Sequence, residues 1–354
     1  MHQYRSRGAN SAFGFDGNWK DFARIALPNL LLTIVTIGIY RFWATTRERQ
    51  YLWSHTRFVD ERLEWTGTGR ELFLGFLIVA LLLGVPFIAL QFVASGMIFR
   101  GLDDLVKVLG GTLFLFSFYL AGVARFRALR YRLSRTRWRG IRGGSDNPGF
   151  AYGWSYFWRW IAGLLPLGLL VPWTMTSLWN QRFREMSFGP YEIWSDVDPG
   201  PVYPRFLAFY TPVLLGVPAW FLMDSAGTNP ALGAAGMIFI LGLVLFFYVG
   251  MPIISVAFYA KFFREAVGTM RWGDVEFRFT AKTSKWIELY VVDFLFIMVT
   301  FGLAYVFIPY RHWKFFVEHM EAEGEIDLDA MTQSQTRTAR HGEGLLDAFD
   351  VGAI

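Results

Sequence analysis

The sequence predicts an all-α polytopic membrane protein with four clear transmembrane helices, three shorter repeated apolar segments, re-entrant or spanning, and small cytoplasmic β-hairpins. Three observations predict it. Of 354 residues, 54% are hydrophobic and 18% charged, whereas soluble domains run nearer a quarter charged. Long uncharged runs recur along the whole chain and leave no obvious soluble core. Lys and Arg concentrate in the connections between those runs, the pattern that orients membrane proteins.

A formal charge of +5 and a pI near 9.4 would suggest nucleic acid as partner for a soluble protein. Here the cations flank apolar runs, so the expected partners are the bilayer and its anionic headgroups, not nucleic acid. Cysteine is absent, which excludes disulfides and thiol chemistry. The opening MHQYRSRGANS is polar with no apolar run behind it, so no cleavable signal peptide is expected and an internal segment must direct insertion.

Four runs are long enough, or nearly so, at 1.5 Å per residue to cross a hydrocarbon core of about 30 Å. They are residues 72–99, 108–124, 206–223 and a stretch within 225–260. The last follows a GTNP turn, so its helix should begin near Ala231, with a kink at Pro252. Three further runs, 25–40, 160–181 and 289–310, are shorter or interrupted, the last by Asp293.

Internal repetition links those three. Each follows an aromatic, strand-like stretch and a Trp: FGFDGNW at Phe13, FAYGWSYFW at Phe150 and FRFTAKTSKW at Phe277. The first and third align without a gap, placing Asn29 with Asp293, Thr36 with Thr300, Gly38 with Gly302 and Arg47 with Arg311. The second keeps Arg182 and Arg184 at its exit but lacks the Asn/Asp and Thr-x-Gly features. The expected organisation is a membrane domain over 1–320 with repeats at about 13–70, 150–196 and 277–320, joined by helix pairs 72–124 and 206–260. Residues 321–354 form a polar, disordered tail with an apolar tip at Leu345, Leu346 and Phe349.

A small-Arg-aromatic pattern follows the basic helix exits: Thr56-Arg57-Phe58, Thr136-Arg137-Trp138 and Met270-Arg271-Trp272, with Met186-Ser187-Phe188 as a weaker fourth. Alternation such as VEFRFT has period two, so these stretches read as repeated small hairpins under the membrane.

Lys plus Arg counts then weigh two topologies. The connections carry six (41–71), two (96–107), nine (125–159), three (179–205), none (224–232) and six (259–286). If the three repeat runs enter and leave on one face, every basic connection and both termini are cytoplasmic. Seven alternating spans, arranged as inverted repeats, would put the connections of nine and six on opposite faces.

The stretch from Phe13 to Phe76 resembles the DUF898 or YjgN-like family of bacterial inner-membrane proteins. It carries PNLLLTIVTIGIYRFWATTRERQYLWSHTRF and, later, WTGTGRELFLGF. The family pattern N-x-L-L-T-x-x-T-x-G-I-Y-x-F-W-A falls on Asn29, Leu31, Leu32, Thr33, Thr36, Gly38, Ile39, Tyr40, Phe42, Trp43 and Ala44. R-x-R-x-Y follows at Arg47, Arg49 and Tyr51, and T-G-x-G-x-E-L-F at Thr66, Gly67, Gly69, Glu71, Leu72 and Phe73. The third copy departs from it, with Asp293 for Asn and Ala304 in the Tyr position. The resemblance implies a multi-pass protein of the bacterial inner membrane and carries no settled activity.

Chemistry is sparse, and neither an enzyme nor a cofactor is expected. His312, His319 and Glu323 have helical spacing that one face could present to a metal, but an exposed amphipathic helix gives the same spacing, so no metal site is expected. His2, His55 and His341 form no ligand pattern. The glycines of TGTGRE and RGIRGG lack the Lys-Ser/Thr of a phosphate loop and read as turns and helix starts. Asp293 is costly inside an apolar run and, with Asn29, Thr36 and Thr300, forms the candidate polar intramembrane site. Arg47, Arg49, Arg125, Arg127, Arg182, Arg184, Arg264 and Arg311 are the candidate contacts for an anionic headgroup or ligand; simple topogenic charge explains them as well. Two functions follow: a small-solute or ion transporter or channel-like protein, or a non-transporting scaffold or lipid-binding protein with a basic aromatic cytoplasmic face.

Overall fold

Helices that leave a sheet and return to it set the order of the chain in a computed structural model, which describes residues 3–5, 12–224 and 230–337. After β1 (Gln3–Arg5) and β2 (Phe13–Phe15), α1 (Trp19–Val35) and α2 (Arg41–Ser54) lead into β3 (Thr56–Phe58) and β4 (Glu61–Trp65). Next, α3 (Gly69–Val79), α4 (Val85–Ile98) and α5 (Asp103–Arg135) lead into β5 (Thr136–Trp138) and β6 (Ile141–Gly144). Helices α6 (Phe150–Leu164) and α7 (Val171–Arg184) precede β7 (Ser187–Phe188) and β8 (Tyr191–Trp194). Then α8 (Tyr203–Leu207), α9 (Thr211–Asp224), α10 (Pro230–Leu245) and α11 (Met251–Gly268) precede β9 (Arg271–Trp272) and β10 (Val275–Phe279). Finally α12 (Thr283–Val299) and α13 (Ile308–His319) end in β11 (Met320–Glu323) and β12 (Glu325–Asp327).

Strands β2 to β11 pair in chain order into one ten-stranded antiparallel sheet, while β1 pairs with β12. The strand before each helical excursion is the neighbour of the strand after it. Phe13 faces Phe58 across α1 and α2, Gly144 faces Ser187 across α6 and α7, and Phe279 faces Met320 across α12 and α13. The three repeated runs therefore start and finish at neighbouring strands of one sheet. The sheet is nearly closed, since the Phe13 and Phe277 rings from near its two ends lie 6.3 Å apart.

This sheet overturns the all-α expectation. The anticipated hairpins exist, but an isolated two-stranded hairpin is marginal and leaves unpaired edges. Each pair here covers its edges with the next pair: β4 takes β5, β6 takes β7 and β8 takes β9. Strands of two to five residues carry almost no periodic signal, and partners far apart in sequence carry none. One stretch read as strand-like, FAYGWSYFW, is the start of α6; the strand before it is β6.

Aromatic rings fill the sheet interior. Phe58 packs on Trp138 at 5.1 Å and on Trp272 at 6.4 Å, and the two Trp rings are 6.1 Å apart. Trp138, 1% exposed, donates from Nε1 to the Phe58 carbonyl at 3.0 Å. Trp272 repeats the bond to the Phe188 carbonyl at 2.9 Å. The small-Arg-aromatic stretches are thus joined in pairs, with the aromatic of one bonded to the backbone of another two strands away. Phe126, Tyr152, Tyr156 and Leu178, from α5, α6 and α7, complete this core.

The expected number of transmembrane helices is corrected too. Among the described residues three helices are long and apolar enough to cross a membrane: Asp103–Arg135, Gly200–Asp224 and Ala231–Gly268. The fourth run, 72–99, is not among them: α3 passes through a π-helical turn at Ala80–Gly84 into α4, a shorter apolar helix of 14 residues. Pro86 at the start of α4 accounts for the π turn. Proline offers no N–H and crowds the carbonyl one turn back, and a widened turn relieves both. Pro252 has the same device before it, at Phe246–Gly250, so this position marks a π turn in a helix that continues to Gly268.

Almost none of these apolar windows is buried within the chain, as expected for surfaces that face lipid. The 33-residue α5 shows the division along one element, with acidic Asp103 and Asp104 at its start and Arg132 and Arg135 at its end, both favourable to the helix dipole. Its last third carries Phe126, Leu129 and Tyr131 into the core.

Beyond Met320, where a disordered tail is expected, the chain forms β11 and β12 and then crosses to β6. Gln333 donates to the Gly140 carbonyl at 3.0 Å and accepts from the Arg142 amide at 3.0 Å. Burial, and then the Arg135 and Arg137 guanidiniums, push Arg142 below its usual pKa, and its side chain donates to the Thr336 carbonyl. Leu345, Leu346, Phe349, His2, His341 and Gly227 lie outside the described residues.

Candidate functional site

Each repeated run is a helix, a left-handed turn and a returning helix. The turns place Ile37 and Gly38 at φ 52° and 87°, Leu167 and Gly168 at 55° and 84°, and Phe301 and Gly302 at 49° and 92°. At such angles glycine avoids the Cβ penalty. Thr36 and Thr300 build the first and third turns alike. Thr36 Oγ1 donates to the Leu32 carbonyl at 2.7 Å and accepts from the Tyr40 amide at 2.9 Å. Thr300 donates to Phe296 at 2.6 Å and accepts from Ala304 at 2.9 Å. Both hydroxyls are used by the turn.

Asn29 and Asp293 do not meet. Asn29, 2% exposed, donates from Nδ2 to the Ala44 carbonyl and to Glu48 Oε1, both at 3.4 Å. Asp293 accepts from Arg311 Nε at 2.5 Å and lies 2.7 Å from His312 Nε2. Each ties its own helix to the helix that returns. Glu48 and His312 are equivalent positions of the aligned copies, so the pair is the same with its polarity reversed.

The middle copy has this tie as well, in a form the alignment misses. Arg159 stands at the same distance before Gly168 as Asn29 before Gly38. It donates to the Ser177 carbonyl at 3.0 Å, while its own carbonyl accepts from Thr174 Oγ1 at 2.9 Å. The signal was present as Pro-x-Gly in place of Thr-x-Gly and as a lone Arg in an aromatic run.

The eight candidate arginines all lie on helices that return to the sheet, within about three turns of the strand that follows. They are spread around the molecule. Arg47 lies over Tyr40 at 5.6 Å, Arg125 over Tyr156 at 5.2 Å, Arg127 over Phe150 at 4.9 Å and Arg311 over Phe296 at 5.2 Å. Such stacking is worth about 0.5–1 kcal/mol at exposed sites. Arg49 is buried over Trp65 at 4.9 Å. Arg184 is held by Asp196 at 2.6 Å and Arg264 by the Ala281 carbonyl at 3.4 Å. Arg182, over Trp179 and Phe183, feels the charges of Arg125 and Arg132 and the phenol of Tyr152, and Arg125 lies over Tyr156, whose ring is 6.5 Å from that of Tyr152.

The histidine pattern separates: His312 is taken by Asp293, His319 Nδ1 lies 2.8 Å from the Phe315 carbonyl, and Glu323 pairs with Arg278 at 3.4 Å. Among the described residues no group of three His, Cys, Asp or Glu could hold a metal ion. The two glycine motifs fall at a helix start, where Thr68 Oγ1 caps the Glu71 amide of α3 at 3.3 Å, and at a strand turn, Gly140.

The model of a family described as "Bacterial protein of unknown function (DUF898)" matches residues 10–348. The chain is 33% identical over 70 residues to the inner membrane protein YjgN of Salmonella typhimurium, covering 20% of this chain and 18% of that one. It is 33% identical over 67 residues to YjgN of Escherichia coli O157:H7, covering 19% and 17%. The chain thus matches less than a fifth of the length of these curated relatives. No solved structure matches.

Proposed function

We propose, for a chain that belongs to the DUF898 family of bacterial proteins, that it binds anionic lipid headgroups through its basic and aromatic rim. It is an integral multi-pass protein of the bacterial inner membrane. The rim carries the reading: guanidiniums of Arg47, Arg125, Arg127 and Arg311 lie over aromatic rings where exposed apolar helices turn back to the sheet. Arginine presents a planar fork matched to phosphate, and aromatic rings settle at the headgroup level. By the Lys and Arg excess of its connections, the sheet faces the cytoplasm, and both termini with it.

A solute path, the other function raised by the sequence, calls for polar groups open to a passing ion or molecule. Asn29, Asp293, Thr36 and Thr300 are bonded within their own hairpins, and rings pack the sheet interior. These observations weigh towards binding rather than carriage. The test is lipid retention. Protein extracted from nanodiscs of equal phosphatidylcholine and phosphatidylglycerol should keep phosphatidylglycerol preferentially in native mass spectra. Equal retention of the two lipids would sink the reading.

A further inference from the structure

Most arginines of the rim have a carboxylate, a carbonyl or open solvent. Arg182 has none of these. It sits in the last turn of α7, 6% exposed, with its Cζ 5.5 Å from the Trp179 ring and 5.4 Å from the Phe183 ring. Its Nε is buried without a hydrogen-bond partner, and among the described residues no carboxylate pairs with it. Glu185, the nearest acid in sequence, is engaged by Asn147 and Gln181. The charged groups that act on Arg182 are two further cations, Arg125 and Arg132, together with the phenol of Tyr152, itself 2% exposed; Arg125 lies over Tyr156, whose ring is 6.5 Å from that of Tyr152.

A guanidinium cannot shed its proton to escape this situation. Burying a charge without a partner costs several kcal/mol, and a second cation beside it adds repulsion. Positive charge gathered in a desolvated place is what an oxyanion neutralises, through short charge-assisted bonds to the guanidinium fork. Depth agrees with a headgroup source. Counted from the acids that open α5, Arg125 stands about 33 Å along the helix, close to the thickness of the hydrocarbon core. It therefore lies at the far boundary, where lipid phosphates are.

We propose that Arg182 and Arg125, with Tyr152 beside them, form an internal site for one phosphate-type oxyanion entering from the headgroup layer. The site rests on the headgroup-binding reading and narrows it to one place. Its anion is a lipid phosphate or a free phosphate, which share the chemistry of recognition.

The test uses the full chain, with thermal unfolding in neutral detergent read against two probes, inorganic phosphate and added phosphatidylglycerol. Wild type and Arg271→Gln, which changes an exposed sheet residue paired with Glu276 outside the rim, should be stabilised with the same midpoint concentration, and Arg182→Met should need at least tenfold more. Dependence on Arg182 in the phosphate arm assigns a free anion, and dependence in the phosphatidylglycerol arm alone assigns a headgroup. Should Arg182→Met fail to fold, Arg182→Lys and Arg125→Met decide: a midpoint raised several-fold in either supports the site, and wild-type midpoints in both overturn it. Lipid preference in nanodiscs that survives Arg182→Met together with unchanged midpoints overturns this site and leaves the general reading standing. Loss of that preference in wild type alone overturns the general reading.

Discussion

Asp293 Oδ2 lies 2.7 Å from Nε2 of His312, across the turn made by Gly302, and this contact holds α12 to α13. The Asp293 side chain is 6% exposed, whereas Arg311 and His312 are 29% and 25% exposed. The carboxylate is the buried member of the group, and its removal leaves two donors that water reaches only in part. Asp293→Ala should cost about 3 kcal/mol, read as a fall in the unfolding midpoint of the detergent-solubilised protein. An unchanged midpoint would mean that the contact is dispensable.

The equivalence of the first and third hairpins can be tested by exchange. Asp293→Asn leaves Arg311 without its anion, and His312→Glu alone sets two carboxylates together. The double variant recreates the pair made by Asn29 and Glu48. A positive coupling of about 1 kcal/mol is expected from the double-mutant cycle; additive losses would show that the two hairpins are held differently.

Turn and helix glycines should respond with opposite signs. A Cβ added at Gly302 meets nothing within 4 Å, so the cost of Gly302→Ala is that of φ 92°, about 1–2 kcal/mol. Gly110, inside α5, also has open space, but its backbone is helical. Gly110→Ala should stabilise by about 1 kcal/mol. Paired melting curves check both signs at once.

Trp138 separates packing from hydrogen bonding in the sheet interior. Trp138→Phe keeps a ring but leaves the Phe58 carbonyl without its donor, costing about 2 kcal/mol. Trp138→Ala also opens a cavity beside Trp272 and should cost about 4 kcal/mol. Intrinsic fluorescence and denaturant midpoints of both variants test the ranking.

These contacts also mark how far the sequence could be read. Apolar runs, basic exits and the likeness of Asn29 to Asp293 need only local pattern, and so were legible. The sheet was not, because β7 and β9 have two residues each and gain their partners from strands far along the chain. Nor could a sequence say that Asn29 and Asp293 each bond within their own hairpin, since a polar residue in an apolar run looks the same whether it faces a path or a neighbouring helix. Arg159 was hidden by its change of charge. The isolation of Arg182 was hidden because burial and the commitment of Glu185 elsewhere are properties of packing alone.

The absence of cysteine allows the sidedness to be mapped with single substitutions. Asp104 stands at the start of α5, at the opposite end of that helix from the sheet, while Pro190 and Asp274 are exposed at sheet turns. In intact cells an impermeant thiol reagent should label Asp104→Cys and spare Pro190→Cys and Asp274→Cys, which become reactive only after permeabilisation. Ile37, 93% exposed at the tip of the first hairpin, supplies the remaining arm. Helix α1 has 17 residues and reaches about 25 Å, short of the hydrocarbon core of about 30 Å. Ile37→Cys should therefore resist the reagent from both sides while still reacting with a membrane-permeant maleimide. Labelling of Ile37→Cys from outside would mean that the hairpin crosses completely, and labelling of Pro190→Cys or Asp274→Cys from outside would place the sheet on the other face.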